Sequence, residues 1–211
     1  MDTVNTRSTS VGFIGTRLKA IINKLRDYRA SYFLDEELPV SGLLRSWREE
    51  GDIIYFCLTS DGMTDKEWVK YLEGKGCYYD KDYIKQVLNS SDFRTTNGVT
   101  TEFAVLKGVH FGNNDRITEK IRVEADKYKF RKLNIEEACL LQRITMKELE
   151  VMGLWRIVAM TEPINDSKGI PRLLRVGCGD KGRKFERYRD RSNRRWSRGG
   201  GFAFAVSSTF S

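Results

Sequence analysis

The sequence predicts an α+β protein: a mixed helical and strand region followed by a module of short strands and loops. Three observations predict it. Capping-box patterns at Thr64 with Glu67, Asn134 with Glu137 and Thr145 with Glu148 mark helix starts. Runs rich in β-branched and aromatic residues, over 51–62, 96–108 and 154–160, mark strands among those helices. From 161 onward turn residues crowd together, and only short strands fit between them.

The chain has 211 residues, 40% apolar and 11% aromatic, enough to bury a core and too aromatic for disorder. No run approaches the roughly 18 apolar residues needed to cross a bilayer. MDTVNTRSTS lacks the apolar stretch of a cleaved secretory signal. Cys57, Cys77, Cys139 and Cys178 are scattered with no CxxC pair, which predicts reduced, mostly buried thiols and a cytoplasmic location.

In chain order, 1–12 is a polar, flexible lead-in, 13–110 a mixed α/β N-terminal region and 111–211 the C-terminal module. Ile14, Leu18, Ile21, Ile22, Leu25 and Tyr28 recur at helical spacing, so 14–28 reads as an amphipathic helix. The run 51–62 reads as a strand closed by Asp61-Gly62. Thr64 then starts a helix that carries Trp68, Val69 and Leu72 and stops at Gly74 and Gly76. A second helix covers 80–89, and 96–108 is a strand bounded by Asn97-Gly98 and Gly108. Ile117, Ile121, Ala125 and Tyr128 share one face of a helix over 115–130, and shorter helices follow at 135–142 and 146–152. After Gly153, the segment 154–160 is a strand. Pro163, Asn165-Asp166, Ser167 and Gly169 read as a loop. Strands at 173–178 and 183–188 flank the turn Gly179-Asp180-Lys181-Gly182, Ser192-Asn193 is a further turn, and 201–206 is the closing strand.

The net charge of +8 is concentrated in one place. Residues 172–198 hold nine Arg and two Lys against Asp180, Glu186 and Asp190, while the rest of the chain balances 26 basic against 26 acidic residues. A diffuse solvated face does not explain that concentration. Arginine forks bind carboxylate and phosphate and stack on aromatic planes, and Tyr188, Trp196, Phe202 and Phe204 are near in sequence. A flexible arginine–glycine tail is repetitive and poor in aliphatics. This segment has no repeat and ends in the apolar Gly201-Phe202-Ala203-Phe204-Ala205-Val206, so it reads as the edge of a folded domain.

Catalytic patterns are sparse. His110, the single histidine, follows a strand end and reads as a partly exposed loop residue, with no nucleophile that spacing places beside it. No metal is expected from dispersed Cys and one His, and Glu136-Glu137 reads as an ordinary acidic first turn. Gly177-Cys178-Gly179-Asp180-Lys181-Gly182 lacks the order of a phosphate loop and has no helix after it. No cofactor is expected.

The stretch 134–207 has Glu137-Ala138-Cys139-Leu140, Gly153-Leu154-Trp155, Met160, Glu162-Pro163-Ile164, Asp166, Gly169, Leu173-Leu174, Gly182-Arg183, Arg195-Trp196 and Gly201-Phe202-Ala203-Phe204 as landmarks. It resembles the C-terminal module of a family frequent in candidate-phyla bacteria, similar to the variable proteins of diversity-generating retroelements. Residues 62–108 resemble the upstream part of that family through Met63-Thr64, Trp68, Asp92-Phe93, Thr96-Asn97-Gly98-Val99-Thr100 and Ala104-Val105-Leu106-Lys107-Gly108. The resemblance implies a C-type-lectin-like fold related to formylglycine-generating enzyme, with landmark residues fixed and intervening positions varied to bind diverse ligands. The variable, ligand-binding positions it implies are Arg175, Gly177, Cys178, Gly179, Arg187, Tyr188, Arg189, Arg191, Arg194, Ser197, Arg198, Gly199 and Gly200. Lys184 departs from the family's Trp, and Thr161 from a frequent His. The enzyme branch needs a reactive cysteine pair in this module, and catalysis does not carry over.

The expectation is a non-enzymatic ligand-binding protein. Trp196 and Phe202-Ala203-Phe204 anchor its last strands, and its arginines project from the opposite side toward an acidic protein or an anionic glycan. The alternative is a nucleic-acid-binding protein using the same basic window.

Overall fold

The computed structural model describes residues 47–179, 182–190 and 195–207, without the side chain of Cys178. The lead-in 1–12, the helix expected over 14–28 and the turn at Ser192-Asn193 lie outside the described residues.

Local chemistry sets the helices α1 (Asp65–Gly74), α2 (Lys81–Leu88), α3 (Thr118–Lys127), α4 (Ile135–Leu140) and α5 (Met146–Val151). All three expected capping boxes form. The Glu67 carboxylate accepts from the Thr64 N–H at 2.8 Å, Glu137 from Asn134 at 2.9 Å and Glu148 from Thr145 at 2.6 Å. Asp80 caps α2 through the Tyr83 N–H at 3.2 Å. Helix α3 is shorter than the 115–130 expected from its periodicity. It starts after Ile117 without a side-chain cap, and after its end Lys129 takes a positive φ of 58° that turns the chain into the next strand. Gly153, at φ 71°, follows α5 and frees the chain to enter a strand.

The strands are β1 (Arg48–Glu50), β2 (Ile53–Asp61), β3 (Tyr78–Tyr79), β4 (Asn97–Lys107), β5 (Phe130–Arg131), β6 (Arg156–Asn165), β7 (Pro171–Gly179), β8 (Gly182–Arg189) and β9 (Gly200–Val206). Among the described residues they form one mixed sheet in the order β1-β2-β4-β9-β6-β7-β8-β3, with β5 beside the end of β9. β1, β3 and β5 are too short for their periodicity to announce them. The segment after 160, expected as a loop, instead continues β6 through Pro163 to Asn165. Register shifts between Ala159 and Ile164, and that irregularity accommodates a proline with no N–H to donate.

The closing strand is not the third member of a tight-turned series. β7 and β8 form a hairpin, but β9 crosses back and inserts between β4 and β6, antiparallel to the first and parallel to the second. Strands from both sides of position 110 therefore share the sheet, and the expected division there separates no sheet.

Both faces of the sheet are covered. One carries Phe56, Phe103, Ile157, Leu174, Phe185 and Ala203 against residues of α1, α2, α4 and α5 such as Trp68, Tyr83, Leu140 and Leu149. The other carries Tyr55, Leu106, Val158, Leu173, Phe202 and Phe204 against Ile121 and Ala125 of α3, with Phe111 and Trp196. Alternate residues of β9 thus enter both cores, which is why its six apolar positions run without a polar break. Burying each Phe contributes roughly 1.5–3 kcal/mol.

Glu136 and Glu137 depart from an ordinary acidic first turn, because both are buried. Glu136 accepts from the Thr96 N–H at 2.8 Å and hydroxyl at 2.6 Å, which ties α4 to the approach to β4. Glu137 accepts both Arg131 forks, at 2.8 and 2.6 Å, and the Thr101 hydroxyl at 3.1 Å. Burial pushes the Glu137 carboxyl up, but Arg131 and the Asn134 N–H outweigh it and hold its pKa below the usual range.

Candidate recognition site

The arginines of the basic window do not share one face. Arg172, Arg183 and Arg187 stand on the face that carries α1, α2, α4 and α5, with Leu174 and Phe185, where each meets its own partner. Arg172 pairs with Asp166 at 2.7 Å. Arg187 reaches Asp80 at 2.9 Å and the Tyr83 ring at 5.7 Å, joining β8 to the start of α2. Arg183 donates to the carbonyls of Gln142 and Ile144. Burial pushes Asp166 up, but the Ile170 and Lys168 N–H groups and Arg172 overcome it and hold its pKa at about 2. Arg187, expected as a ligand position, thus also ties β8 to Asp80 and Asp166 of its own fold.

The opposite side has a different construction. Registers place Gly200, Arg156, Gly177, Lys184 and Tyr78 in one row across β9, β6, β7, β8 and β3, with neighbours about 4.8 Å apart. In the row beside it Arg175 pairs with Glu186, and its guanidinium lies 4.5 Å from the centre of the Tyr188 ring. Lys184 Nζ shares Glu186 at 3.5 Å and lies 5.6 Å from the Tyr78 ring. Tyr188 packs on Trp196 at 5.1 Å, so this predicted ligand residue also belongs to the core.

Four glycines predicted as ligand positions lie under long side chains. A Cβ at Gly179 would run into the Lys184 stem, and at Gly199 it would stand 2.9 Å from Trp155 Cδ1. At Gly200 it would touch Arg156 Cγ at 3.4 Å, ordinary contact. Gly177 is tighter, with Arg156 Cβ at 2.9 Å and the Trp155 carbonyl at 3.0 Å, so a side chain there forces backbone to move. The glycines form a floor on which Trp155, Arg156 and Lys184 lie.

The turn leading into β9 is held firmly. The Trp196 N–H donates to the Arg116 carbonyl at 2.7 Å, Arg116 Nε returns a bond to the Trp196 carbonyl at 3.1 Å, and the Trp196 indole N–H reaches Thr118 at 3.1 Å. Ser197 and Arg198 stand exposed on this turn, as does Arg189 at the end of β8. Arg198 and Arg189 make no ion pair among the described residues. Arg191 and Arg194 lie outside them.

Trp155, Arg156, Lys184 and Val109 were not among the predicted ligand residues. Trp155 read as a fixed landmark, yet it is 61% exposed while Leu154 beside it is buried. Trp155 lies just before β6, whose residues Ile157 to Thr161 are buried on both faces, so no alternation in the sequence marks it.

Catalytic geometry does not gather elsewhere among the described residues. His110 is partly exposed, with Nε2 3.3 Å from Glu124 and Nδ1 3.9 Å from Asp52. Burial pushes the Cys139 thiol well up, away from the reactive thiolate. Among the described residues no group of three His, Cys, Asp or Glu is placed to hold a metal ion, and no helix is long and apolar enough to cross a membrane. The fold and site define an α/β protein with a glycine-floored, cation-bearing surface. No family model, curated protein or solved structure matches the chain.

Proposed function

We propose that this is a non-enzymatic recognition protein that presents a variable surface on a C-type-lectin-like scaffold, as a variable protein of a diversity-generating retroelement does. One observation carries this reading. The landmark residues Leu173, Leu174, Trp196, Phe202 and Phe204 are buried, while the predicted ligand positions Gly179, Arg189, Ser197, Arg198 and Gly199 are exposed or partly so; the landmark Trp155 is exposed, and Gly177 and Gly200 are buried. Changing Gly179 or Gly199 re-aims Lys184 or Trp155, both of them side chains, and this reshapes the surface at small cost to the fold. The ligand is an acidic protein or an anionic glycan.

The gene tests it. Retroelement diversification, as the resemblance implies it, randomises adenines in Asn-type codons that end in a pyrimidine. Such codons can yield Arg, Gly, Cys, Tyr, Ser, Asp or Asn, among others, and never Lys, Glu, Gln, Met or Trp. Arg175, Arg187, Arg189, Arg191, Arg194 and Arg198 are then written CGC or CGT. AGA, AGG, CGA or CGG at most of these positions removes diversification.

Nucleic acid is the second reading. Trp155 and Tyr78 are exposed aromatic rings beside Arg156 and Lys184, a combination that suits stacked single strands. Binding that falls steeply with salt favours it. Against it, Arg172, Arg175, Arg183 and Arg187 are engaged within the protein and not free for phosphates.

A further inference from the structure

Where β4, β6 and β9 end together, Lys107, Val109, Gly153, Leu154, Arg198 and Gly199 line an open cleft of about 350 Å³. Trp155 borders it, its indole lying over Gly199. Trp155 is 61% exposed and Val109 43%, so apolar surface is left in water on both sides. Among the described residues no carboxylate lines the cleft. Lys107 is turned to Glu49 at 2.5 Å, whereas Arg198 meets no acid among the described residues. The backbone beneath is closely packed. A Cβ at Gly108 would meet the carbonyls of Ser197 and Arg198 at 2.7 Å and of Gly200 at 2.9 Å, so the 197–200 turn lies flush on the 3-10 turn Gly108–His110. The Trp155 N–H donates to the Gly199 carbonyl at 3.0 Å. Trp and Arg dominate binding energy at protein interfaces, and a closely packed seat lowers the entropy lost on binding.

We propose that this cleft docks an acidic segment of a partner protein, which inserts one aromatic or aliphatic side chain beside Trp155 and sets a carboxylate against Arg198. The proposal rests on the recognition reading and narrows it to one anchor point and one partner chemistry. An apolar wall with, among the described residues, one cation without an acidic partner at its rim complements an acidic peptide. A polyanion needs a track of free cations, and the neighbouring Arg175 is closed on Glu186.

The test is fluorescence anisotropy on the full chain with labelled short peptides, each with a central Trp, Leu or Ala flanked by Glu or by Gln. Labelled oligothymidylate serves as the competing class. Peptides with Trp or Leu between Glu residues bind at least about tenfold more tightly than the Ala-centred or Gln-flanked ones. Trp155→Ala and Arg198→Glu each remove that preference, and Arg94→Ala, which deletes an exposed charge elsewhere, keeps it. Gly199→Ala, which pushes the indole off its seat, weakens binding while the variant melts as the parent does. No preference among the peptides, a preference that survives Trp155→Ala, or tighter binding of oligothymidylate than of every peptide overturns the proposal. The codon test reads the gene and this one the protein, so the failure of either is separable from that of the other.

Discussion

Arg187 and Arg198 belong to one basic window, and their surroundings differ in every respect that matters for binding. Arg187 stands near the end of β8, 2.9 Å from Asp80 and against the Tyr83 ring, so its charge is met by an acid of its own fold. Arg198 stands on a turn at the sheet's end, beside an exposed indole, with no acid among the described residues to meet it. A cation closed on its own carboxylates offers an outside ligand little, because the partner must first displace the internal acid. A cation held by closely packed backbone and left open in water offers its full field. The number of arginines is therefore a poor measure of the recognition surface, and the number left unpaired is a better one.

The comparison can be broken at the core that separates the two regions. Phe204 is 2% exposed on β9, and Phe204→Ala lowers unfolding stability by roughly 3–5 kcal/mol in denaturant titration. A loss below about 1 kcal/mol would mean that the closing strand does not anchor the sheet.

Gly177 comes next. Gly177→Ala places a methyl group against the Trp155 carbonyl and Arg156 Cβ and costs roughly 1–3 kcal/mol, while Gly200→Ala costs clearly less because only ordinary contact awaits it. The reverse ranking would dissolve the distinction between a packing glycine and a tolerant one, and with it the floor described above.

On the face that carries α1, α2, α4 and α5, Arg187→Ala costs about 1 kcal/mol, the upper end for a half-exposed pair, and leaves partner binding intact. The acid limb reports the same network. The pKa of Asp166 is lowered by folding, so its stabilising share is complete above about pH 4, its ordinary range, and is lost as the pH falls toward about 2. Asp166→Asn removes that part of the acid transition. An unchanged acid limb in circular dichroism would show that Arg172 and Arg187 are not held by a charged Asp166.

The smallest effect on stability belongs to the open region. Arg198→Ala changes stability by no more than about 0.5 kcal/mol and abolishes binding of the acidic peptide in the anisotropy assay. If Arg187→Ala abolished binding and Arg198→Ala did not, the two regions would have to exchange roles.

Much of this architecture is legible in the residues themselves. The three capping boxes work because side chain and backbone three residues apart satisfy each other locally, whatever lies beyond them. The strands at 51–62, 96–108 and 201–206 are read correctly because their apolar, β-branched and aromatic residues suit a buried sheet. Gly-Phe-Ala-Phe likewise reads as core. The continuation of β6 through Pro163 escapes such reading, since a bulge depends on the register of the neighbouring strand.

The sequence by itself determined where helices begin, which runs become strands and that the charge gathers in 172–198, because these properties depend on neighbours along the chain. Only the tertiary structure decided that β9 lies between β4 and β6, that four glycines form a floor under Trp155, Arg156 and Lys184, and that Asp80 and Asp166 claim Arg187 and Arg172. Hydrogen bonds and ion pairs act over a few ångströms, and strand order brings together residues that are tens of positions apart. Which arginine is neutralised and which remains open is therefore a property of the fold.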